Sequence, residues 1–313
     1  MKKLLLFLLV ICALLTSCEK TSNNNSDADI SENHTYTDSL GRSVSVSGAE
    51  RVSVLIGSFA DLWCIAGGKD NIVSAANDTW TQFDLGLSDK VVNIGSAKAP
   101  SLEKIISSDP DLIIASANTS ADVALMENFE NIGIPVLYFS VSNFYDYLNM
   151  LDVCTDITGH KENYEKYGLE LENEINIAKS MAEGSSPSVL YVRASASSVK
   201  IKNSQDSVLG EMLKDLGCVN IADSDNGLLE NLSMETIIRE DPQWIFCVLQ
   251  SSTPEKAQSS LEKALLSDPA WESLTAVKEG RFIILDQNLY NMKPNRRWAE
   301  AYSNLAEIIY DKK

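Results

Sequence analysis

The sequence predicts an α/β protein of two lobes with parallel sheets, joined by a long helical linker. Three observations carry that prediction. A fourteen-residue segment occurs twice, strands alternate with helices around each copy, and a charged helical stretch lies between them.

Residues 101–114 read SLEKIISSDPDLII and residues 233–246 read SMETIIREDPQWIF, identical at seven of fourteen positions and 132 residues apart. In both copies a serine, Ser101 or Ser233, suits the N-cap of a short helix. The isoleucine pair is expected on the buried face of that helix. Asp-Pro ends it, because the residue before proline avoids the helical region. The continuous apolar run that follows suits a parallel strand covered on both faces.

The alternation extends outward. Residues 51–55 read as a strand, 59–66 as a helix stopped by Gly67-Gly68, and 134–139 as a strand after a helix near 121–131. In the second half, 188–192 and 282–285 read as strands, 208–216 and 254–265 as helices. A final helix covers about 297–310. Residues 144–183 are rich in Leu, Glu, Lys and Tyr and break near Thr158-Gly159. They read as two helical stretches, the second long and charged (162–181). Gly184 to Pro187 marks a boundary.

The N-terminus has a basic start, Lys2-Lys3, then an uncharged run from Leu4 to Leu15. That is the pattern of a secretory signal, too short to span a bilayer. Leu15-Thr16-Ser17-Cys18 resembles the bacterial lipobox, which implies that Cys18 carries lipid and begins the mature chain. The Ser-, Asn- and Asp-rich tract that follows has too few apolar groups to fold and suits a tether. The expected organisation is therefore a signal peptide (1–17), lipidated Cys18 with tether (18–35), an N-terminal lobe (36–143), linker helices (144–186) and a C-terminal lobe (187–313).

The formal charge is -18, and -20 once Lys2 and Lys3 leave with the signal. Such a surface excludes nucleic acid as a partner. Cys64, Cys154, Cys218 and Cys247 are scattered among apolar neighbours with no CxxC, so buried thiols are expected, and sequence cannot pair them. His34 and His160 are the two histidines, too few for a His-rich metal site. No resident metal or cofactor is expected. Gly-x-Ser-x-Gly, P-loop and GxGxxG motifs are missing, which argues against an enzyme.

The lipobox, the paired segments, the connecting helix and the ending Lys293-Pro-Asn-Arg-Arg-Trp-Ala-Glu-Ala-Tyr302 together resemble the extracytoplasmic solute-binding proteins of ABC importers. The class resembled carries iron–siderophore complexes, haem or cobalamin. The resemblance implies two Rossmann-like lobes, a nearly rigid linker helix and a ligand cleft between the lobes. It implies a monomer anchored by lipid on the outer face of the cell membrane. Its partners would be a permease dimer with ATPase subunits, and its cargo a small iron complex or corrinoid. By the same resemblance Glu103 and Glu235 dock onto arginines of the two permease subunits. The helix dipole alone accounts for one carboxylate in a first turn, but not for one in each lobe.

Open α/β sheets place ligands beyond the carboxyl ends of their strands. Candidate contacts there are Trp80, Lys98, Arg193, Tyr290, Arg296 and Arg297. Arg193, directly after a strand, suits charge-assisted bonds to an anion. Trp80 either stacks on a flat ligand or covers the core. Of Arg296 and Arg297, one is expected to pair structurally and the other to reach the cleft. An anionic ferric siderophore leads. Haem, needing an axial ligand such as Tyr290, and cobalamin follow, and a scaffolding lipoprotein without cargo stays open.

Overall fold

The computed structural model describes residues 34–311, apart from 206 and 252. The expected signal peptide, Cys18 and nearly all of the tether lie outside the described residues. The first strand, β1 (His34–Thr37), starts two residues before the expected onset of the N-terminal lobe and pairs antiparallel with β2 (Ser43–Val46).

The first large sheet is built from β3 (Val52–Val54), β4 (Ile72–Ala75), β5 (Val92–Asn93), β8 (Leu112–Ser116) and β9 (Val136–Phe139). Between β5 and β8 a small hairpin, β6 (Gly95–Ser96) and β7 (Ala99–Pro100), leads to the first repeat helix. The sheet order is β5-β4-β3-β8-β9, with every pair parallel. This is the doubly wound arrangement, with its switch point between β3 and β8.

The second sheet contains β10 (Ser188–Ser195), β11 (Val199–Lys202), β12 (Val219–Asn220), β13 (Trp244–Gln250) and β14 (Phe282–Leu285). Its path is β11-β10-β13-β14, with β12 beside the start of β10. β10, β12, β13 and β14 run parallel, and β11 is an antiparallel edge closed by a tight hairpin. Here the switch point falls between β10 and β13, which places Arg193 at it.

Both repeat copies fold alike. Ser101 Oγ accepts from the Lys104 N–H at 3.4 Å and Ser233 Oγ from the Thr236 N–H at 3.3 Å. The helices Leu102–Ser107 and Met234–Glu240 end at Asp109 and Asp241, which take left-handed conformations (φ 51° and 36°). One expectation needs correction. Only the first isoleucine of each pair, Ile105 or Ile237, is buried; Ile106 and Ile238 are exposed. Adjacent residues on an α-helix point about 100° apart, so a short helix on a sheet cannot turn both inward.

Between the sheets in the chain, helix Phe144–Thr158 starts with a capping box formed by Asn143 and Asp146 and stops at Gly159 (φ 76°). A second helical run follows from Lys161 to Ser180, widened between Glu165 and Leu169. The expected helix near 121–131 is instead two short helices, Ser120–Val123 and Met126–Ile132. Gly68 permits a close approach, because a Cβ there would clash with the Trp63 indole.

One core joins both halves. Trp63 under the first sheet, Tyr191 and Phe246 in the second, and Trp298 and Tyr302 of the final helix (Trp298–Tyr310) share a single apolar cluster. The outer faces of the two sheets are covered by separate clusters.

Candidate functional site

A cavity of about 260 Å³ lies between the two halves at the carboxyl ends of their strands. Asn118, following β8, and Ser142, following β9, line it from the first half. From the second come Arg193 on β10, and Asn291 and Lys293 on the segment after β14. Short connections after parallel strands bring these residues to one place although they are distant in sequence.

Arg193 Nη1 donates to Asn291 Oδ1 at 3.2 Å. Among the described residues neither Arg193 nor Lys293 is ion-paired with a carboxylate. Burial, and then the Arg193 guanidinium, push the Lys293 ammonium below its ordinary value. The Asp146 carboxylate opposes this, but Asp146 is engaged by backbone donors: it accepts from the Ser142 N–H at 2.8 Å and, within the capping box, from the Asn143 N–H at 3.4 Å. The cavity thus holds two adjacent cations, neither ion-paired among the described residues, on a protein of net charge -18, an arrangement that suits an anion rich in oxygen.

Lys293 also walls a second cavity of about 220 Å³, shared with Asp61, Phe83, Arg296 and Arg297. Arg297 is the structurally paired member of the two arginines: its Nε and Nη2 donate to Glu300 at 2.7 Å each. Arg296 is exposed and faces this second cavity. Asn295, buried and at φ 50°, donates to the Ser58 carbonyl and to Asp61 Oδ2, both at 2.8 Å. That clamp fixes the segment carrying Lys293 and Arg296 against helix Gly57–Ile65.

The remaining candidates separate. Tyr290 lines the main cavity with its ring, but its hydroxyl donates to the Ala301 carbonyl at 3.1 Å. Trp80 packs against the core and is not part of the cavity wall. Lys98 is exposed on the β6–β7 hairpin and is not part of that wall either. Glu103 and Glu235 are exposed, one on each repeat helix, and neither has an ion pair among the described residues. Cys64, Cys154, Cys218 and Cys247 are free thiols. Burial pushes Cys64 and Cys247 up to about 12 and Cys218 up to about 11, so none is a ready nucleophile or metal ligand. Among the described residues no group of three His, Cys, Asp or Glu could hold a metal ion, and no helix is long and apolar enough to cross a membrane.

Two carboxylates lie behind the rim of the first sheet. Asp78 accepts from the Gly57 N–H and Asp122 from the Ser116 N–H, each at 2.9 Å. Burial pushes the Asp122 carboxyl from 3.8 up to about 7; the Ser116 bond opposes the shift and the Asp78 charge adds to it. A folded value above the unfolded one means that the protonated form stabilises the fold. That contribution is complete below about pH 4 and is lost as pH rises through about 7. Asp122→Asn keeps the acceptor for Ser116 and removes the charge. We expect it to flatten the fall of the thermal midpoint between pH 4 and 8 and to raise the midpoint at pH 8 by a few degrees. An unchanged pH profile in the variant would assign the titration elsewhere.

Comparison with known proteins agrees with this geometry. Residues 52–289 match the family model described as periplasmic binding protein. The Fe(3+)-citrate-binding protein YfmC of Bacillus subtilis is 26% identical over 292 residues, covering 90% of this chain and 88% of that protein. The periplasmic heme-binding protein RhuT from Roseiflexus sp. RS-1 is 20% identical with a TM-score of 0.66, covering 84% of this chain and 99% of that one. Staphylococcus aureus SirA complexed with staphyloferrin B is 21% identical with the same TM-score of 0.66, covering 89% and 97%. The two solved structures establish the fold and leave the ligand open, since proteins with differently named ligands superpose equally well. The family is one of solute-binding proteins and not of enzymes, and this chain belongs to the periplasmic binding protein family.

Proposed function

We propose that this protein is the lipid-anchored receptor of an ABC importer and that its cargo is an anionic ferric complex of a small carboxylate chelator. The carrying observation is the pair of cations, Arg193 and Lys293, without an ion pair among the described residues, in a cavity of about 260 Å³. Half-buried charge without an ion-pair partner carries a desolvation cost, and an anionic cargo offsets that cost. The volume lies just under the roughly 300–1,000 Å³ usual for drug-sized ligands, which favours a compact polyanion. The name of one relative, an Fe(3+)-citrate-binding protein, points the same way.

Haem and cobalamin fit less well. The Tyr290 hydroxyl is committed to Ala301, so haem gains no axial ligand from it, and Trp80 offers no wall for a flat corrin. In this reading Cys18 anchors the chain at the outer face of the membrane. Glu103 and Glu235 meet arginines on the two permease subunits, and the ATPase subunits of the partner drive release. The chain itself hydrolyses nothing.

The test is quenching of tryptophan fluorescence in the full-length protein, titrated with ferric citrate, a ferric catecholate, haemin and cobalamin. Saturable quenching at micromolar or lower ferric citrate, with none by cobalamin, is the expected result. Tight haemin or cobalamin binding would keep the receptor and overturn the anionic-chelate assignment.

A further inference from the structure

Among the described residues three positions are identical in the two repeat copies and exposed in both: Glu103 with Glu235, Ile106 with Ile238, and Asp109 with Asp241. The aspartates have a structural task, since each ends its helix in the left-handed conformation. Asp241 also accepts from the Thr275 N–H at 2.9 Å and from its hydroxyl at 2.6 Å. Neither the glutamate nor the isoleucine has such a task. Ile105 and Ile237 already seat the helices on their sheets, and the serines already cap them.

Ile106 is 41% exposed and Ile238 is 38% exposed. A single exposed isoleucine is ordinary. Two at the same position of a duplicated element, with nearly equal exposure, are not explained by chance placement. Glu103 and Ile106 stand three residues apart, as do Glu235 and Ile238, so each pair shares one helix face. Other exposed positions differ between the copies: Lys104 faces Thr236 in the alignment, and Ser107 faces Arg239.

We infer that Ile106 and Ile238 are the paired apolar anchors of the importer-docking face. The inference rests on the docking reading given above for Glu103 and Glu235. Each lobe presents the same unit, an apolar knob beside an unpaired carboxylate. The complementary surface is a permease with two equivalent halves, each offering an apolar socket rimmed by arginine or lysine. The carboxylates then steer and orient the encounter while the isoleucines, desolvated at the centre of each contact, slow dissociation.

The test measures binding of the full-length protein in detergent to the permease–ATPase complex in nanodiscs. Ile106→Ser with Ile238→Ser is expected to weaken binding at least tenfold, with cargo affinity and thermal midpoint unchanged. Ile106→Leu with Ile238→Leu is expected to bind within about twofold of wild type. Ile132→Ser, equally exposed but outside the repeat, is expected to have no effect. If the paired serine variant binds like wild type while Glu103→Ala with Glu235→Ala does not, the anchors are wrong and the docking face stands. If the glutamate variant also binds unchanged, the docking face falls and the anchors with it. Equal loss from Ile132→Ser would reduce the effect to general stickiness and overturn the inference.

Discussion

Replacing Arg193 and Lys293 together with alanine is expected to weaken binding of ferric citrate by about a thousandfold while leaving the fold intact. A hydrogen bond to a charged group contributes about 1.5–3 kcal/mol, so Arg193→Ala alone costs about 10- to 150-fold in affinity. The two cations share one cavity, so their losses are coupled and not strictly additive. Stability should move the other way or not at all. Among the described residues neither side chain has an ion-paired carboxylate to orphan, and removing Arg193 relieves the repulsion that adds to burial in lowering Lys293. Titration by fluorescence together with thermal unfolding separates the two effects. A variant that binds as tightly as wild type returns both side chains to a structural role. The pH dependence has a definite sign. Binding an anion raises the lowered value of Lys293, so cargo binding takes up a proton on the alkaline side. Affinity therefore falls as pH rises through the window between the free and bound values of Lys293, and the Lys293→Ala variant loses that slope.

Much of this arrangement is legible in the sequence, for physical reasons. The repeat is legible because capping serines, Asp-Pro stops and unbroken apolar strands leave strong local signals, and both copies fold as read except that only the first isoleucine of each pair is buried. Arg193 is legible because it directly follows the apolar run of residues 189–192, although β10 continues past it to Ser195. The expected sheets of parallel strands are present, but β4 is hard to read. Its Ser74 is buried in a chain of hydroxyls with Ser53 and Ser108, at 2.7 and 2.9 Å, which interrupts the apolar pattern with polar groups satisfied only in the fold. β11 has the alternation of an edge strand, but its four residues are too short a period to trust. Lys293 sits in plain view before Pro294, yet its importance depends on proximity to Arg193 across the second sheet. No local spacing encodes that proximity. The outward turn of Ile106 and Ile238 is similarly a property of how each helix lies on its sheet. Which of Arg296 and Arg297 pairs structurally depends on the position of Glu300, in the first turn of the final helix.

Trp298→Ala is expected to destabilise the protein by about 3–5 kcal/mol, the cost of emptying a large aromatic site in a core. At this chain length that lowers the thermal midpoint by about 10 °C. Trp298 is fully buried. Its ring centroid lies 6.0 Å from Phe144, 6.3 Å from Tyr147 and 6.3 Å from Tyr302. Phe144 and Tyr147 belong to helix Phe144–Thr158, so this cluster ties the final helix to the chain that leaves the first sheet. Both arms of the tie lead into the cavity: Lys293 lies shortly before Trp298, and Ser142 shortly before Phe144. Loosening the cluster therefore displaces cavity groups from both halves, and cargo affinity should fall with stability even though Trp298 is not part of the cavity wall. Trp298→Phe distinguishes packing from polar effects. It keeps a ring in the cluster and removes the Nε1 donor, which is buried without an acceptor among the described residues, so its cost should be well below that of alanine. Equal losses for Phe and Ala would mean that indole volume alone holds the halves together. Wild-type stability in Trp298→Ala would remove the cluster from the account of how the cavity is kept in shape.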